Sequence, residues 1–340
     1  MSSFVISIIV GRSYRIGKRT EVLPMETALS SASFNWSHEY EPSWVMEPFI
    51  LDSRTKNYNK SILDTGAYYA LNAIQDHKFY GLIAQYSKGD LKKLTGDDSH
   101  KTIISLDRGL IFSMTINPLL SPILREFGLN SKNAYGCILN SLFTPKPEIF
   151  DGMQKIVSRI VKRNSSTLMI GIHIRTGDKA LLNSGLLASM SQPVQKQFKC
   201  AESLERHILA TSKTYQHCLW YVRSDSRRLR LTARQRYGHK VVTLLSMQTE
   251  HTSKEKSMCS SNKYNCTVSI KGFQTAAAEW WLFGMMDYFI ISSNTGFSKS
   301  AAMRSNKVKS IFMINDTSPG VCMPDTFTSV DQLAKQWSGL

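Results

Sequence analysis

The pattern of apolar and polar positions becomes regular after residue 165, where short apolar runs alternate with helical segments. The predicted strands cover about 167–174, 218–222, 240–245, 288–291 and 310–314. The predicted helices between them cover about 192–213, 226–237, 272–286 and 297–305. Continuous apolar runs are typical of strands buried on both faces, and alternation of strands with helices predicts a parallel sheet built from βαβ units.

The first half of the chain is irregular, with aromatic residues scattered among polar stretches. Its predicted elements are a first strand at 4–10, a helix at about 66–87, a proline-interrupted apolar stretch at about 109–125 and a helix at about 148–163. Two prolines bracket Lys146, which predicts a turn or linker. A chain of 340 residues is long enough for two domains. We therefore expect two domains with a boundary near residue 150, one at 1–150 and the other at 151–340.

The charge balance favours anionic partners. The chain has 42 Lys and Arg against 26 Asp and Glu, a net charge of +16. Phosphate-bearing molecules, nucleic acid, anionic glycans and membrane surfaces are all compatible with this charge, so it names no partner. No apolar run approaches the roughly 20 residues of a spanning helix. The run 4–10 is followed, not preceded, by basic residues, unlike a signal peptide. Membrane association through an anchor that the sequence does not show stays open.

The cysteines and the glycosylation acceptors bear on the compartment. Six cysteines show no CxxC spacing of the metal-binding type. Cys259 and Cys266 flank a polar segment that a disulfide could close, and free thiols in a reducing compartment are an equal alternative. Asn-x-Ser/Thr acceptors occur at Asn35, Asn59, Asn164, Asn265 and Asn315. This number slightly exceeds chance and gives mild support to a secretory route.

Polar clusters follow three of the predicted strands. One cluster contains His173, Arg175 and Asp178, the second contains Asp225, and the third is the Ser- and Thr-rich turn at 292–297. Ligands of open α/β sheets bind beyond the carboxyl ends of the strands. Arg175 can make a bidentate contact to phosphate, and a helix N-terminus after the turn suits the same ligand. These patterns predict an α/β domain that binds a phosphate-bearing ligand.

Each feature also has a structural interpretation. Arg175 and Asp178 could form an ion pair without function, and His173 could be a core histidine. The turn at 292–295 could be an ordinary N-cap cluster. Trp280 and Trp281 are better interpreted as core residues than as a cofactor-stacking pair.

The residues around these clusters resemble a known family. The segment 172–178, Ile-His-Ile-Arg-Thr-Gly-Asp, resembles the His-x-Arg-x-x-Asp signature of the GT-B fucosyltransferase superfamily, which includes α1,6-, α1,2- and protein O-fucosyltransferases. The segment 220–225 looks like the second family region, and 279–298 looks like the third. Residues 136–145 also resemble the segment that joins the two domains in some relatives. The resemblance implies a GT-B-like α/β fold with two Rossmann-like domains. They would be an N-terminal, acceptor-side domain at 1–150 and a C-terminal, nucleotide-sugar-binding domain at 151–340, which contains the donor-binding parallel sheet.

The resemblance also implies an activity and a set of site residues. The expected enzyme is an inverting glycosyltransferase of the Golgi or ER lumen that needs no metal, and the sequence has no DxD triplet. Its expected donor is GDP-fucose, with no other cofactor and no nucleic acid, and its acceptor is a glycan or glycoprotein. Arg175 would meet the pyrophosphate and offset charge on the departing GDP. His173 and Asp178 would shape the guanosine side of the site, and Asp225 and Glu279 would position the nucleotide or hold the arginine. The expected donor-binding residues of the turn are Ser293, Asn294, Thr295 and Gly296.

Two positions depart from the family pattern. Asn183 stands where the α1,6 branch has its catalytic glutamate, and Ser226 replaces the second of paired aspartates. Inversion still requires a base for the acceptor hydroxyl. Acidic residues of the N-terminal half that could serve are Glu39, Glu41 and Glu47. Two alternatives stay open. The missing glutamate allows a catalytically inactive relative that binds a GDP-sugar or glycan. The net charge allows a basic polyanion-binding protein, although the sequence has no helix-turn-helix, RNP or zinc-finger pattern.

Overall fold

A computed structural model describes residues 25–31, 68–73, 101–106, 111–176, 192–245, 269–293, 295–307, 309–315 and 317–338. Cα packing divides the chain into two units. One unit contains 1–17, 35–139 and 331–340, and the other contains 18–34 and 140–330. The functional division at residue 150 stays a prediction.

The described secondary structure alternates strands and helices over most of the second unit. The strands are β1 (Leu29–Ser30), β2 (Tyr68–Ala73), β3 (Lys101–Leu106), β4 (Thr144–Pro145), β5 (Thr167–Ile174), β6 (His217–Ser224), β7 (Val241–Val242), β8 (Tyr288–Ser292) and β9 (Ile311–Ile314). The α-helices are α1 (Ile111–Ile116), α2 (Ser121–Glu126), α3 (Ala134–Leu142), α4 (Gln154–Val161), α5 (Gln192–Thr211), α6 (Arg227–Tyr237), α7 (Ile270–Phe283), α8 (Gly296–Arg304) and α9 (Val330–Ser338). Short 3-10 helices occupy Met25–Thr27, Pro147–Phe150 and Gly238–Lys240.

The second unit contains a five-stranded parallel sheet with the order β7-β6-β5-β8-β9. The chain steps outward from β5 through β6 to β7, and then crosses back to place β8 on the other side of β5. The direction of strand order therefore reverses between β5 and β8. In open α/β sheets this topological switch point opens a crevice beyond the carboxyl ends of the two strands, where ligands bind.

The central strand is buried on both faces, as its apolar pattern predicts. Every residue of β5 from Leu168 to Ile174 is buried. The core beside it includes Phe198 and Leu204 of α5 and Trp220 of β6. Burial of each large apolar side chain contributes about 1.5–3 kcal/mol, so this cluster fixes the position of the strand end that follows it.

The amino end of the sheet is held by Asp287, which directly precedes β8. Its carboxylate accepts the backbone N–H of Met169 on β5 at 2.9 Å. Arg163 and Lys307 contact the same carboxylate at 3.2 and 2.8 Å. Asp287 therefore has a structural role, at the end of the sheet opposite the switch point.

The structure corrects parts of the predictions for the irregular half. The predicted helix at 66–87 is wrong over Tyr68–Ala73, which is a strand paired in parallel with β3; residues 74–87 lie outside the described residues. Adjacent tyrosines favour a strand once a partner strand is present, and that pairing overrides helical spacing. The predicted turn near Lys146 includes a short strand, β4, antiparallel to β1. The predicted helix at 148–163 divides into the 3-10 helix Pro147–Phe150 and α4, with Gly152 between them at φ +78°.

Other predictions are confirmed in shorter form or lie outside the described residues. The strand predicted at 240–245 is ordered as β7 over two residues only. The strand predicted at 4–10 and the pair Cys259–Cys266 fall outside the described residues. A different disulfide, Cys200–Cys322, joins α5 to the segment before α9.

Within the described residues, no helix combines the length and the apolar character needed to cross a membrane.

Candidate functional site

The ends of β5 and β8 are tied together at the switch point. The backbone N–H of Arg175 donates to the hydroxyl of Ser292, the last residue of β8, at 3.3 Å. The Gln197 amide, on α5, donates to the same hydroxyl at 2.9 Å, and that hydroxyl donates to the carbonyl of His173 at 3.2 Å. These bonds place the first and third polar clusters of the sequence side by side.

Asp225 holds Arg175 from the interior. The Asp225 side chain has no exposed surface, whereas that of Arg175 is 29% exposed. The Arg175 Nε and an Asp225 carboxylate oxygen are 3.4 Å apart. The other carboxylate oxygen accepts the Thr176 N–H at 2.8 Å and the Thr176 hydroxyl at 2.7 Å. The guanidinium is thus held at its Nε by a buried carboxylate, on a side chain that is partly exposed to solvent.

His173 is fully buried, as the interpretation as a core histidine expects. Its ring packs against Phe297 and Phe283, with centroid distances of 5.2 and 6.1 Å. Burial, followed by the positive charges of Arg223 and Arg175, lowers the pKa of His173 well below its usual value. The imidazole is therefore neutral at physiological pH.

Glu279 is held between two arginines that the sequence patterns did not single out. Its carboxylate lies 3.2 Å from the Nε of Arg223 on β6 and 3.3 Å from a terminal nitrogen of Arg230 on α6. All three side chains are nearly fully buried. Arg230 also donates to the carbonyl of Leu244 at 2.7 Å, and burial is the main reason that its pKa is lowered.

A signal for both arginines exists in the sequence, although it is weak. Arg223 interrupts an apolar strand, and Arg230 shares a helix face with Leu229 and Ala233. An arginine at an inward position needs a buried counter-charge. The sequence alone does not show that Glu279, about 50 residues away, supplies that charge.

The turn after β8 leads directly into α8. Thr295 is the N-cap residue with an extended backbone, is 8% exposed, and makes no side-chain capping hydrogen bond. Thr295 therefore occupies the N-cap position, as the interpretation of the turn as an N-cap cluster expects, but its hydroxyl does not cap the helix. A Cβ added at Gly296 would meet no atom within 4 Å, so space exists beside the first residue of the helix. The N-terminus of a helix attracts anions through its backbone N–H groups and its dipole.

The predicted site residues divide into those that the structure brings together and those it does not describe. One edge of the sheet holds those that lie at the end of a strand or just after it: His173, Arg175, Asp225, Ser293, Thr295 and Gly296. Glu279 contacts Arg223, which in turn contacts His173. Asp178, Asn183, Asn294 and the acidic candidates Glu39, Glu41 and Glu47 lie outside the described residues. Ser226 has a structural explanation, because its hydroxyl accepts the Leu229 N–H at 3.2 Å and caps α6.

Across the described part of the chain, no group of three or more His, Cys, Asp or Glu side chains is arranged to hold a metal ion.

Comparisons with solved structures identify the fold. A variant of the fucosyltransferase FUT1 of Arabidopsis thaliana, in complex with GDP, matches with a TM-score of 0.61 and 13% identity, covering 94% of this chain and 67% of that one. The fucosyltransferase NodZ from Bradyrhizobium matches with a TM-score of 0.44 and 12% identity, over 88% of this chain and 85% of that one. No protein-family model and no curated protein sequence matches. The similarity to FUT1, at this identity, shows the fold: the chain has the α/β architecture of a GT-B fucosyltransferase, which confirms the fold class predicted from the sequence.

Proposed function

We propose that this protein is an inverting, metal-independent glycosyltransferase that moves fucose from GDP-fucose to a glycan or glycoprotein acceptor. The observation that carries the proposal is the position of Arg175, anchored by buried Asp225 at the crevice between β5 and β8. The fold shared with a GDP-bound plant fucosyltransferase and the three sequence motifs support the same ligand.

The geometry suits a pyrophosphate. Arg175 supplies a permanent positive charge and a planar set of N–H donors that matches phosphate oxygens. The N-terminus of α8, with Thr295 and Gly296, adds a second attraction for negative charge at the same edge of the sheet. As the bond to fucose breaks, negative charge grows on GDP, and Arg175 would stabilise it in the place where many transferases use a cation.

The acceptor side is proposed from the resemblance. A base must remove the acceptor proton. With Asn183 at the family's base position, we assign that role to no particular residue. If no base is present, the chain would be the inactive GDP-sugar-binding relative that the sequence leaves open.

We also propose the Golgi or ER lumen as the compartment. The disulfide Cys200–Cys322 is of a kind that persists in oxidising compartments. Two of the glycosylation acceptors, Asn164 and Asn315, lie in exposed turns, which is compatible with a glycoprotein.

The first test is thermal stabilisation by ligands without added metal. A ligand that binds only the native state raises the melting temperature. We expect GDP and GDP-fucose to stabilise the protein, and UDP to do so much less. Arg175→Ala should remove the effect of GDP without unfolding the protein, because the Asp225 carboxylate keeps its bonds to Thr176. Arg228→Ala is the matched control, since it removes the same charge from an exposed position on α6.

Two results would contradict the proposal. Stabilisation by heparin alone would favour the polyanion-binding alternative, and equal loss of GDP binding in both variants would mean that general charge, not the site, attracts GDP. The transferase step is measured separately, as release of GDP from GDP-fucose in the presence of glycan or glycoprotein acceptors. Selective GDP binding with no release for any acceptor would favour the inactive relative.

A further inference from the structure

The hydrogen bonding of His173 is determined by Arg223. The two residues are paired in the parallel ladder of β5 and β6, and the Arg223 Nη1 lies 3.2 Å from the His173 Nε2. A guanidinium has five N–H donors, no acceptor, and does not lose its proton in proteins. The contact is favourable only if Nε2 offers a lone pair. The proton of the neutral ring must then be on Nδ1.

Arg223 is itself fixed in place. Its Nε donates to Glu279 at 3.2 Å, and its guanidinium carbon lies 4.4 Å from the centre of the Phe297 ring. Only 4% of the residue is exposed. Rotation of the guanidinium away from His173 would break the bond to Glu279 or the contact with Phe297, so the donor beside Nε2 is preorganised.

The surroundings also oppose a second proton on the ring. Among the described residues, the charged groups linked to His173 are Arg223 from β6, Arg175 after β5 with its partner Asp225, Glu279 from α7, which is bonded to Arg223, and Arg230 from α6, which is bonded to Glu279. Uncharged side chains also pack around it: Phe283 of α7, Phe297 of α8, and Gln197 of α5 at its carbonyl. A proton added at Nε2 would point at a cation with no acceptor.

The remaining ring nitrogen is unused. The Nδ1 of His173 is shielded from water and has no hydrogen-bond partner among the described residues. A buried donor without an acceptor is costly, and natural structures leave few such groups without a reason. His173 is two residues from Arg175, whose charge acts on it. An acceptor atom of the ligand bound by Arg175 would satisfy the N–H.

We propose that Arg223 is a positioning residue that holds His173 as the neutral Nδ1–H tautomer, so that the ring offers a hydrogen-bond donor, and never an acceptor or a charge, to the nucleotide. This inference rests on the proposed GDP-sugar function. It also defines a requirement on the ligand, because the nucleotide must place an oxygen or an unprotonated nitrogen beside Nδ1.

The tautomer is measured directly by long-range ¹H–¹⁵N NMR of the folded wild-type protein between pH 5.5 and 8. The signals of His173 are assigned by their loss in His173→Asn. We expect a protonated Nδ1 and an unprotonated Nε2 throughout this range. A protonated Nε2, or a ring that becomes doubly protonated above pH 5.5, would overturn the proposal without the need for any Arg223 variant.

Two substitutions then test the role of Arg223. Arg223→Met keeps much of the side-chain volume but has no donor, so the tautomer should no longer be fixed and GDP should bind about tenfold more weakly. Arg223→Lys keeps charged donors next to Nε2, so it should retain the Nδ1–H tautomer and lose no more than about threefold in affinity. A folded Arg223→Met protein with an unchanged tautomer and unchanged GDP affinity would refute the positioning role.

The two proposals can fail separately. If the wild-type ring is the Nδ1–H tautomer but the protein does not bind GDP, the proposed function and the ligand part of this inference fail together. If the protein binds GDP but the ring is the Nε2–H tautomer, only the inference about Arg223 fails.

Discussion

At the residue scale, the site depends on how a few buried charges are shared. Glu279 neutralises two arginines from different elements, whereas Asp225 serves Arg175 and the backbone beside it. Removing one partner of a buried ion pair leaves an uncompensated charge, which costs far more than the pair contributes in net stability. Glu279 is therefore the shared counter-charge of a buried network that includes Arg223 and Arg230.

The substitution Glu279→Gln tests this network. It keeps the side-chain volume but leaves Arg223 and Arg230 without a buried counter-charge, so we expect a loss of about 3–5 kcal/mol in the free energy of unfolding. The measurement is the midpoint of urea denaturation followed by circular dichroism.

Glu205→Gln is the control for that experiment. Its partner, Lys240, lies 2.9 Å away in a pair that is partly exposed to solvent. We expect a loss of about 1 kcal/mol or less. Equal losses in the two variants would mean that Glu279 is not the centre of a buried charge network.

At the element scale, the strands of the sheet were predictable from the sequence, but their order in the sheet was not. The strands β5, β6, β8 and β9 are mainly apolar, and helices separate them in the sequence, so the local pattern was sufficient to predict them. The order of the strands, and hence the neighbours β5 and β8 that form the crevice, depends on where each strand packs. No local pattern in the sequence encodes that order.

The candidate site shows the same division. The positions of Arg175 and Asp225 were predictable because each residue follows a strand, and ligands of such folds bind beyond the carboxyl ends of the strands. Arg223 and Arg230 were missed because their buried positions depend on pairing with Glu279, which only tertiary packing brings into contact with them. The strand β2 was mistaken for a helix because its partner, β3, is about 30 residues away and is not visible in a local window.

Close contact between β5 and the end of α7 gives the prediction at this scale. A Cβ added at Gly171 would lie 2.8 Å from the Cγ of Met286 and 3.0 Å from a ring carbon of Phe283. Gly171→Ala should therefore destabilise the protein by about 1–3 kcal/mol through overpacking. The measurement is the shift in melting temperature.

Gly296→Ala is the matched substitution, because an added Cβ there meets nothing within 4 Å. We expect its melting temperature to stay near that of the wild type. A Gly171→Ala variant as stable as Gly296→Ala would show that β5 and α7 are less tightly packed than the structure indicates.

At the scale of the whole molecule, charge and covalent linkage act beyond the site. The net charge of +16 attracts any polyanion, so weak binding of heparin is expected even from an enzyme whose ligand is GDP. Ligand selectivity, and not the existence of anion binding, is therefore the meaningful observation. The disulfide Cys200–Cys322 acts differently, because it links residues 122 positions apart and limits the unfolded chain.

That linkage gives the last prediction. Cross-linking two distant residues reduces the conformational entropy of the unfolded state, and loss of such a bond typically costs about 2–5 kcal/mol. The double variant Cys200→Ser, Cys322→Ser should melt at a lower temperature than the wild type. A reductant should lower the melting temperature of the wild type more than that of the double variant, which no longer has this bond to lose.

The helix that carries Cys200 also carries Gln197, whose amide reaches Ser292 at the switch point. If the disulfide holds α5 in position, its loss should weaken GDP binding as well as stability. Cys218→Ser is the control, because that thiol is free and burial raises its pKa, so it should be as sensitive to reductant as the wild type. If the double variant binds GDP as tightly as the wild type, the disulfide acts only by restricting the unfolded chain. If GDP affinity falls together with stability, the disulfide also supports the site, through the position of α5.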